Sequence, residues 1–148
     1  MSAVRLGSWA ELRALAAPLR QTVFVDEQRV PADMEWDECD PLSVHAVLPA
    51  LDGTAAACGR LLPTDREGDD AGFCHIGRMA VRRDLRGRGL GAQVLDALVA
   101  ASRERGDAGV VLHAQCSAQG FYAGRGFIAR GETFDEAGIA HIAMVLRF

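Results

Sequence analysis

Residues 86–92, "RGRGLGA", set Gly87, Gly89 and Gly91 between Arg86, Arg88 and Leu90, and an amphipathic pattern follows from Ala92. The N-terminus of a helix carries N–H groups without intrahelical partners and about half a unit of positive charge. Glycines there keep side chains away from those N–H groups, and Arg86 and Arg88 add positive charge beside them. A pyrophosphate is the kind of anion that suits such a place. Two familiar phosphate loops do not match. A P-loop needs Gly-Lys followed by Ser or Thr, and a dinucleotide fingerprint spaces its glycines G-x-G-x-x-G directly after a strand, whereas G-x-G-x-G follows a charged turn here. Taken alone, the stretch also reads as a glycine-rich turn that packs a helix closely against a sheet and binds nothing.

Other residue types with chemistry in them are scattered. Imidazoles titrate near neutrality and can carry protons; they occur at His45, His75, His113 and His141. Each also reads as an ordinary hydrogen-bonding or packed residue, His113 above all. Tyr122 is the single tyrosine. Asp26, Glu27, Glu35, Asp37, Glu38 and Asp40 form an acidic run that would attract a cation or simply face water. Cys39, Cys58, Cys74 and Cys116 contain no CxxC pair, so free thiols in a cytoplasmic protein are expected and a zinc site is not.

These residues need elements to hold them. Trp9, Leu12, Leu15, Leu19 and Val23 recur at helical spacing, with Pro18 expected to divide or kink the helix. "RVPADMEWDECDPL" reads as an exposed, irregular loop. "VHAVLPALDGTAAACGRLLP" reads as a hairpin turning at Asp52-Gly53, with Pro49 suggesting an edge strand. "FCHIGRMAV" is a strand that would put His75, Gly77, Met79 and Val81 on one side if its alternation is unbroken. Leu90, Val94, Leu95, Leu98 and Ala101 form a helical stripe ending near Gly106. "GVVLHAQ" is a buried strand, "SAQGFYAGRGF" a short helix and turn, and "HIAMVLRF" a closing strand. Strand, helix, strand in the middle implies a crossover and one parallel pair. The expected fold is α/β or α+β around a mostly antiparallel sheet, as a single domain over residues 1–148.

The spacing Arg86-x-x-Gly89-x-Gly91, after "RMAV" and before an amphipathic helix, resembles the acyl-CoA signature of the GNAT superfamily of N-acetyltransferases. "AQCSAQGFYAGRGF" resembles that family's second motif, with Gln115 where many relatives have Asn, then Ala118, Phe121-Tyr122 and Gly126-Phe127. Together these motifs cover roughly residues 73 to 128 in the family's order. "LRQTVFVDEQRVPADMEWDECDPLSVHAV" and "DEAGIAHIAMVL" extend the likeness to the ElaA-like branch and to nearly the whole chain.

The resemblance implies a GNAT fold, with a mixed sheet, a splayed parallel pair and flanking helices. It also implies acetyl-CoA as co-substrate. Met79, Ala80 and Val81 would pair with the pantetheine arm, Arg86, Gly87, Arg88, Gly89, Leu90, Gly91 and Ala92 would hold the pyrophosphate, and Gln115 would meet the pantetheine through its amide. Tyr122 would stand beside the sulfur and donate a proton to the leaving thiolate. His75 sits where several acetyltransferases carry a glutamate base. Glu27 and Glu35 would border the acceptor groove, with His45 a further acceptor-side candidate. Cys116 follows the strand end near the expected thioester, but direct attack in a ternary complex is simpler than transfer through it.

Size and composition agree with such a role. The 148 residues, 49% of them hydrophobic, suffice for one domain with a substantial core. A net charge of −4 argues against a general nucleic-acid binder. No apolar run approaches the ~20 residues of a membrane span, and the N-terminus lacks a secretory apolar stretch. The expectation is a cytoplasmic N-acetyltransferase that uses acetyl-CoA and no metal, with an amine acceptor and, if it associates, a homodimer. The rival readings are a CoA-binding sensor without turnover and a structural domain with a degenerate loop.

Overall fold

Ser8 starts the first helix with a reciprocal cap. Its hydroxyl accepts from the Glu11 N–H at 3.2 Å, and the Glu11 carboxylate accepts from the Ser8 N–H at 2.9 Å. In a computed structural model that describes residues 3–148, this helix, α1 (Trp9–Arg20), buries Leu12, Ala16 and Leu19. It runs unbroken through Pro18 and then widens into a π-helical segment, Gln21–Glu27, that buries Val23 and Phe24. A proline inside a helix removes one backbone donor; here the chain answers by loosening the following turn rather than by breaking.

The strands are β1 (Arg5–Gly7), β2 (Val44–Pro49), β3 (Ala55–Leu61), β4 (Phe73–Val81), β5 (Gly109–Gln115), β6 (Ile128–Glu136) and β7 (Ile139–Arg147). They form one sheet in the order β1-β2-β3-β4-β5-β7-β6, antiparallel except for β4 beside β5. The longest helix, α3 (Leu90–Arg105), joins that parallel pair. Val94, Leu95 and Leu98 of α3 cover one face of the sheet, against Ala46, Leu61, Ile76 and Leu112. Leu12, Ala16 and Leu19 of α1 cover the other, against Val47, Cys58 and Ala80.

Several expectations are corrected. β2 is not an edge strand: β1 pairs with it up to Val47, so Pro49 lies beyond its neighbour's reach, at a register shift opposite β3. β1 and β6 had no clear pattern in the sequence. β6 is exposed along nearly its whole length, so no apolar alternation marks it. The alternation of β4 is also broken. Arg78 adopts φ 52, and the register against β3 shifts there, the signature of a bulge. Cys74 and Ile76 face α3 before the bulge, as do Met79 and Val81 after it, while His75 points to the opposite face.

The acidic segment 29–42 is largely exposed, as expected, but it is not irregular throughout and not all of its acids face water. It contains α2 (Ala32–Glu35) and a single 3-10 turn, Asp40–Leu42, and buries Glu35 and Asp40 at 2% and 3% exposure. Arginines explain the burial. Arg20 bonds Glu35 at 2.7 Å and Asp40 at 2.8 Å, Arg60 bonds Asp37 and Asp40, and Arg78 reaches Glu35 and Asp37. The ring of Trp9 and the ring of Trp36 lie against the Arg20 guanidinium. All four cysteines are free. Among the described residues, no helix is long and apolar enough to cross a membrane, and no group of three His, Cys, Asp or Glu is placed to hold a metal ion.

Candidate active site

β4 and β5 pair only over Phe73–His75 and Gly109–Val111. Beyond the bulge at Arg78 the upper part of β4 keeps β3 on one side and loses β5 on the other. β5 continues alone against β7. The strands therefore splay, and backbone groups along the opening lack sheet partners.

A groove of about 310 Å³ lies at this opening. Met79, Ala80, Val81, Arg86, Gly87, Gly89, Leu90, Gly91, Ala92 and Tyr122 line it, together with Ala118 and Phe121 of the second motif and with Leu85, which the sequence had not singled out. Gly89 is the N-cap of α3, with no side-chain cap on the helix N–H groups. Gly87 (φ 80) and Gly89 (φ 77) hold the left-handed backbone of the turn, with open space where a Cβ would lie. Gly91 has a different reason: a Cβ there would sit 3.3 Å from Val81 Cγ2. Arg88 is exposed and lies outside the lining. Arg86 folds back, donating to the Val81 carbonyl at 3.0 Å and to both carboxylate oxygens of Glu27 at 2.6 and 3.0 Å.

A second cleft, of about 470 Å³, opens on the far side of the splay. Met79, Ala118 and Tyr122 line both cavities, so the two meet there. Tyr122 is 9% exposed, and burial pushes its phenol up to about 12, which keeps it protonated across the neutral range. Phe121 and Phe127 meet its ring edge-on.

His75 lines this cleft, with its Nε2 3.1 Å from Asp65 Oδ2. An ionised carboxylate only accepts, so Nε2 carries the hydrogen and the neutral ring keeps its lone pair on Nδ1. His113 and His141 stand nearby on the same lining. Glu136 lies 3.2 Å from His113 Nδ1 and 3.5 Å from His141 Nε2, and the Ile139 carbonyl accepts from His141 Nδ1. Gln115 also belongs to this cleft rather than to the groove, and donates its amide to Gln28 at 2.8 Å.

The acceptor-side candidates fall differently. Glu35 touches the cleft, but its carboxylate is bound by Arg20 and Arg78. Glu27 lies on neither lining and is paired with Arg86. His45 is 1% exposed and donates Nε2–H to the Asp40 carbonyl at 2.9 Å, with its ring beside Trp9. Burial lowers its pKa, as for a neutral strut of the core. Cys116 lines neither cavity. Arg60, Arg78, Gln28 and Glu136 are the polar cleft residues that sequence reasoning passed over, because no local spacing distinguishes them from surface polar residues.

Residues 48–148 match the family model described as Acetyltransferase (GNAT) domain. The uncharacterized N-acetyltransferase YjcF of Bacillus subtilis is 35% identical over 129 residues, 86% of each chain. Protein ElaA of Escherichia coli is 36% identical over 128 residues, 85% of this chain and 81% of its own. The crystal structure of Escherichia coli ElaA superposes with a TM-score of 0.85 over 98% of this chain and 99% of that one, at 30% identity. An acyl-CoA N-acyltransferase from Pseudomonas aeruginosa superposes with a TM-score of 0.81, at 35% identity, over 96% and 97% of the two chains. With the splayed sheet and the glycine turn already described, these likenesses make the chain an acyltransferase of the GNAT family, in its ElaA-like branch.

Proposed function

We propose that the protein transfers the acetyl group of acetyl-CoA to a primary amine, by direct attack with both substrates bound. The observation that carries this reading is the meeting of two cavities at Met79, Ala118 and Tyr122. On this reading the groove at the glycine turn takes the cofactor and the cleft at His75 takes the acceptor, so a group transferred between them must pass that junction.

The residues present fit coenzyme A. The uncapped N-terminus of α3 and the side-chain-free turn at Gly87 and Gly89 suit a pyrophosphate. The unpaired side of Met79–Val81 suits the amides of a pantetheine arm laid along it as an extra strand. When bound, acetyl-CoA supplies a thioester, an acyl group already activated toward attack.

The chain's own residues then handle protons. An amine with a pKa near 10.4 is uncharged in only about one molecule in a few thousand at neutral pH. His75, with Nδ1 free and Nε2 held by Asp65, takes that proton directly or through water. Tyr122, kept protonated by burial, donates to the departing sulfur. Arginines occupy the carboxylate of Glu35, so the cleft carboxylate without an arginine partner is Glu136, 48% exposed beside His113 and His141, and it is the one that would attract a cationic acceptor.

The test is a panel of amines with acetyl-CoA, read as thiol release, alongside thermal unfolding with coenzyme A. A ligand at ~100 times its Kd stabilises by about 2.7 kcal/mol. Stabilisation with turnover on at least one amine is expected. Stabilisation without turnover on any amine would favour a binding module, and no stabilisation would remove coenzyme A from the groove.

A further inference from the structure

The three arginines that pair with Glu35, Asp37 and Asp40 are not equally satisfied. Arg20 and Arg60 are buried, and each meets a carboxylate at 2.7 Å. Arg78 is the looser member, with its side chain 26% exposed. Its Nε and Nη2 donate to the carbonyls of Met34 and Glu35 and reach the carboxylates of Glu35 and Asp37, every contact at 3.1 Å or longer. Its Nη1, which carries two N–H groups, has no partner among the described residues. The charge balance agrees. Burial works against both Arg60 and Arg78, but hydrogen bonds to Asp37 and Asp40 more than offset it for Arg60, whose pKa is raised. For Arg78, Glu35 and Asp37 offset it only in part, and its pKa is lowered.

The bulge puts this under-compensated cation in the acceptor cleft. With unbroken alternation, Arg78 would follow Cys74 and Ile76 toward α3. Held at φ 52, it lines the cleft instead, with His75 and Gly77, directly before the junction residue Met79. A strained residue at a bulge is a recurrent means of aiming a side chain into a site. Glu136, the negative group of the same cleft, ends β6, three strands away from β4 in the sheet.

We propose that Arg78 selects the acceptor: its Nη1 binds a carboxylate carried by the amine, so the acceptor is an amino acid or another amine bearing a carboxylate. The proposal rests on the acetyl-transfer reading above and names its substrate class. Such an acceptor is dipolar, as the cleft is, with Glu136 attracting the ammonium end and Arg78 the carboxylate end. One free nitrogen supplies two N–H groups, enough for a single carboxylate. A doubly charged phosphate would ask for more donors and would be repelled more strongly by Glu35 and Glu136 on the same lining.

Wild type, Arg78→Lys and Arg78→Gln are assayed with acetyl-CoA on amines that differ by one carboxylate. Alanine and β-alanine are compared with ethylamine, and lysine with cadaverine, with rates referred to the uncharged fraction of each amine. In the wild type, the carboxylate-bearing member of at least one pair is expected to be preferred roughly ten- to a hundredfold in kcat/KM, the range for hydrogen bonds to a charged group. Arg78→Gln should remove that preference mainly by raising KM for the carboxylate-bearing amine, with the matched amine unchanged. Arg78→Lys keeps the charge, but its ammonium is drawn to Glu35 and Asp37 and lacks the guanidinium fork, so it should lose most of the preference too. Thermal stabilisation by coenzyme A should be alike in all three proteins. No preference in any wild-type pair, a preference that survives in both variants, or faster turnover of O-phosphoethanolamine than of β-alanine would each overturn the role of Arg78 while leaving acetyl transfer intact. Should neither variant fold, the wild-type pairs and the phosphate analogue still decide whether the cleft takes a carboxylate. A wild type that acetylates no amine would overturn the acetyl-transfer reading and this one with it.

Discussion

Tyr122 and His75 are separable by pH, because one gives a proton and the other takes one. Tyr122→Phe keeps the ring and its edge contacts with Phe121 and Phe127 but removes the hydroxyl. Turnover is expected to fall ~10²–10⁴-fold, concentrated in kcat, with coenzyme A affinity little changed. His75→Gln keeps a polar side chain beside Asp65 but removes the lone pair on Nδ1. Its rate should fall most at neutral pH and recover as pH approaches the pKa of the amine. Stopped assays across pH distinguish the two, since the Tyr122 variant gains no such rescue. If both variants follow the wild-type profile, the base lies elsewhere; if Tyr122→Phe keeps full kcat with chemistry limiting, the thiolate leaves without it.

The turn between β4 and α3 acts as a unit, and two substitutions probe its opposite sides. Gly89 combines φ 77 with the N-cap of an uncapped helix. Gly89→Asp places a carboxylate among the N–H groups that would hold a pyrophosphate. Coenzyme A affinity should fall at least roughly tenfold, about 1.4 kcal/mol. A Cβ there meets nothing within 4 Å, but the left-handed φ of 77 strains any side chain. Stability should therefore also fall by roughly 1–2 kcal/mol while the chain still folds. Calorimetric titration of the folded variant checks this. Glu27→Gln acts from across the turn. Arg86 depresses the Glu27 pKa mainly through their hydrogen bonds, so at neutral pH the carboxylate is ionised and cancels a positive charge beside the groove. Removing that charge should tighten coenzyme A a few fold at low salt, and the gain should fade as salt screens it over ~8–10 Å. An unchanged affinity for coenzyme A with a raised KM for the amine would instead return Glu27 to the acceptor side.

Across the whole molecule, the ion-pair cluster of Arg20, Arg60 and Arg78 with Glu35, Asp37 and Asp40 ties α1, the 29–42 segment, β3 and β4 together. Removing one member of a buried pair leaves the other uncompensated, a loss of roughly 3–5 kcal/mol. Glu35→Gln should therefore lower Tm sharply, whatever it does to acceptor kinetics. Asp37 sets part of the pH response. Hydrogen bonds from Arg60 hold its carboxyl down at about 2 in the folded protein, against about 3.9 in an unfolded chain. Below about pH 4 the unfolded state binds more protons, so this stabilisation, complete above that pH, is lost as pH falls toward 2. Asp37→Asn should be less stable at neutral pH and show a flatter Tm against pH between about 2 and 4. A slope equal to that of wild type would place the acid sensitivity on other carboxylates.

Local order was largely legible in the sequence. The α3 stripe from Leu90 to Leu98, the turn at Gly53 and the glycines before α3 each follow from rules that act within a few residues: helical spacing, positive φ and the unpaired N–H groups of a helix start. The groove lining is nearly that list of neighbours in sequence, because one turn and one strand end make it. What only the tertiary structure decided depends on partners far apart along the chain. A single residue in the left-handed region at Arg78 turned half of β4 over and separated His75 from Met79, a change that alternation by itself could not register. The acids at 35, 37 and 40 look like a solvated run until Arg20, Arg60 and Arg78 arrive from other elements to pair with all three, with Glu35 and Asp40 buried and Asp37 half-buried. Glu27 and Gln28 are neighbours in the chain, yet they grip opposite arms of the sheet, because a charge or an amide takes its role from what folding brings within hydrogen-bond reach.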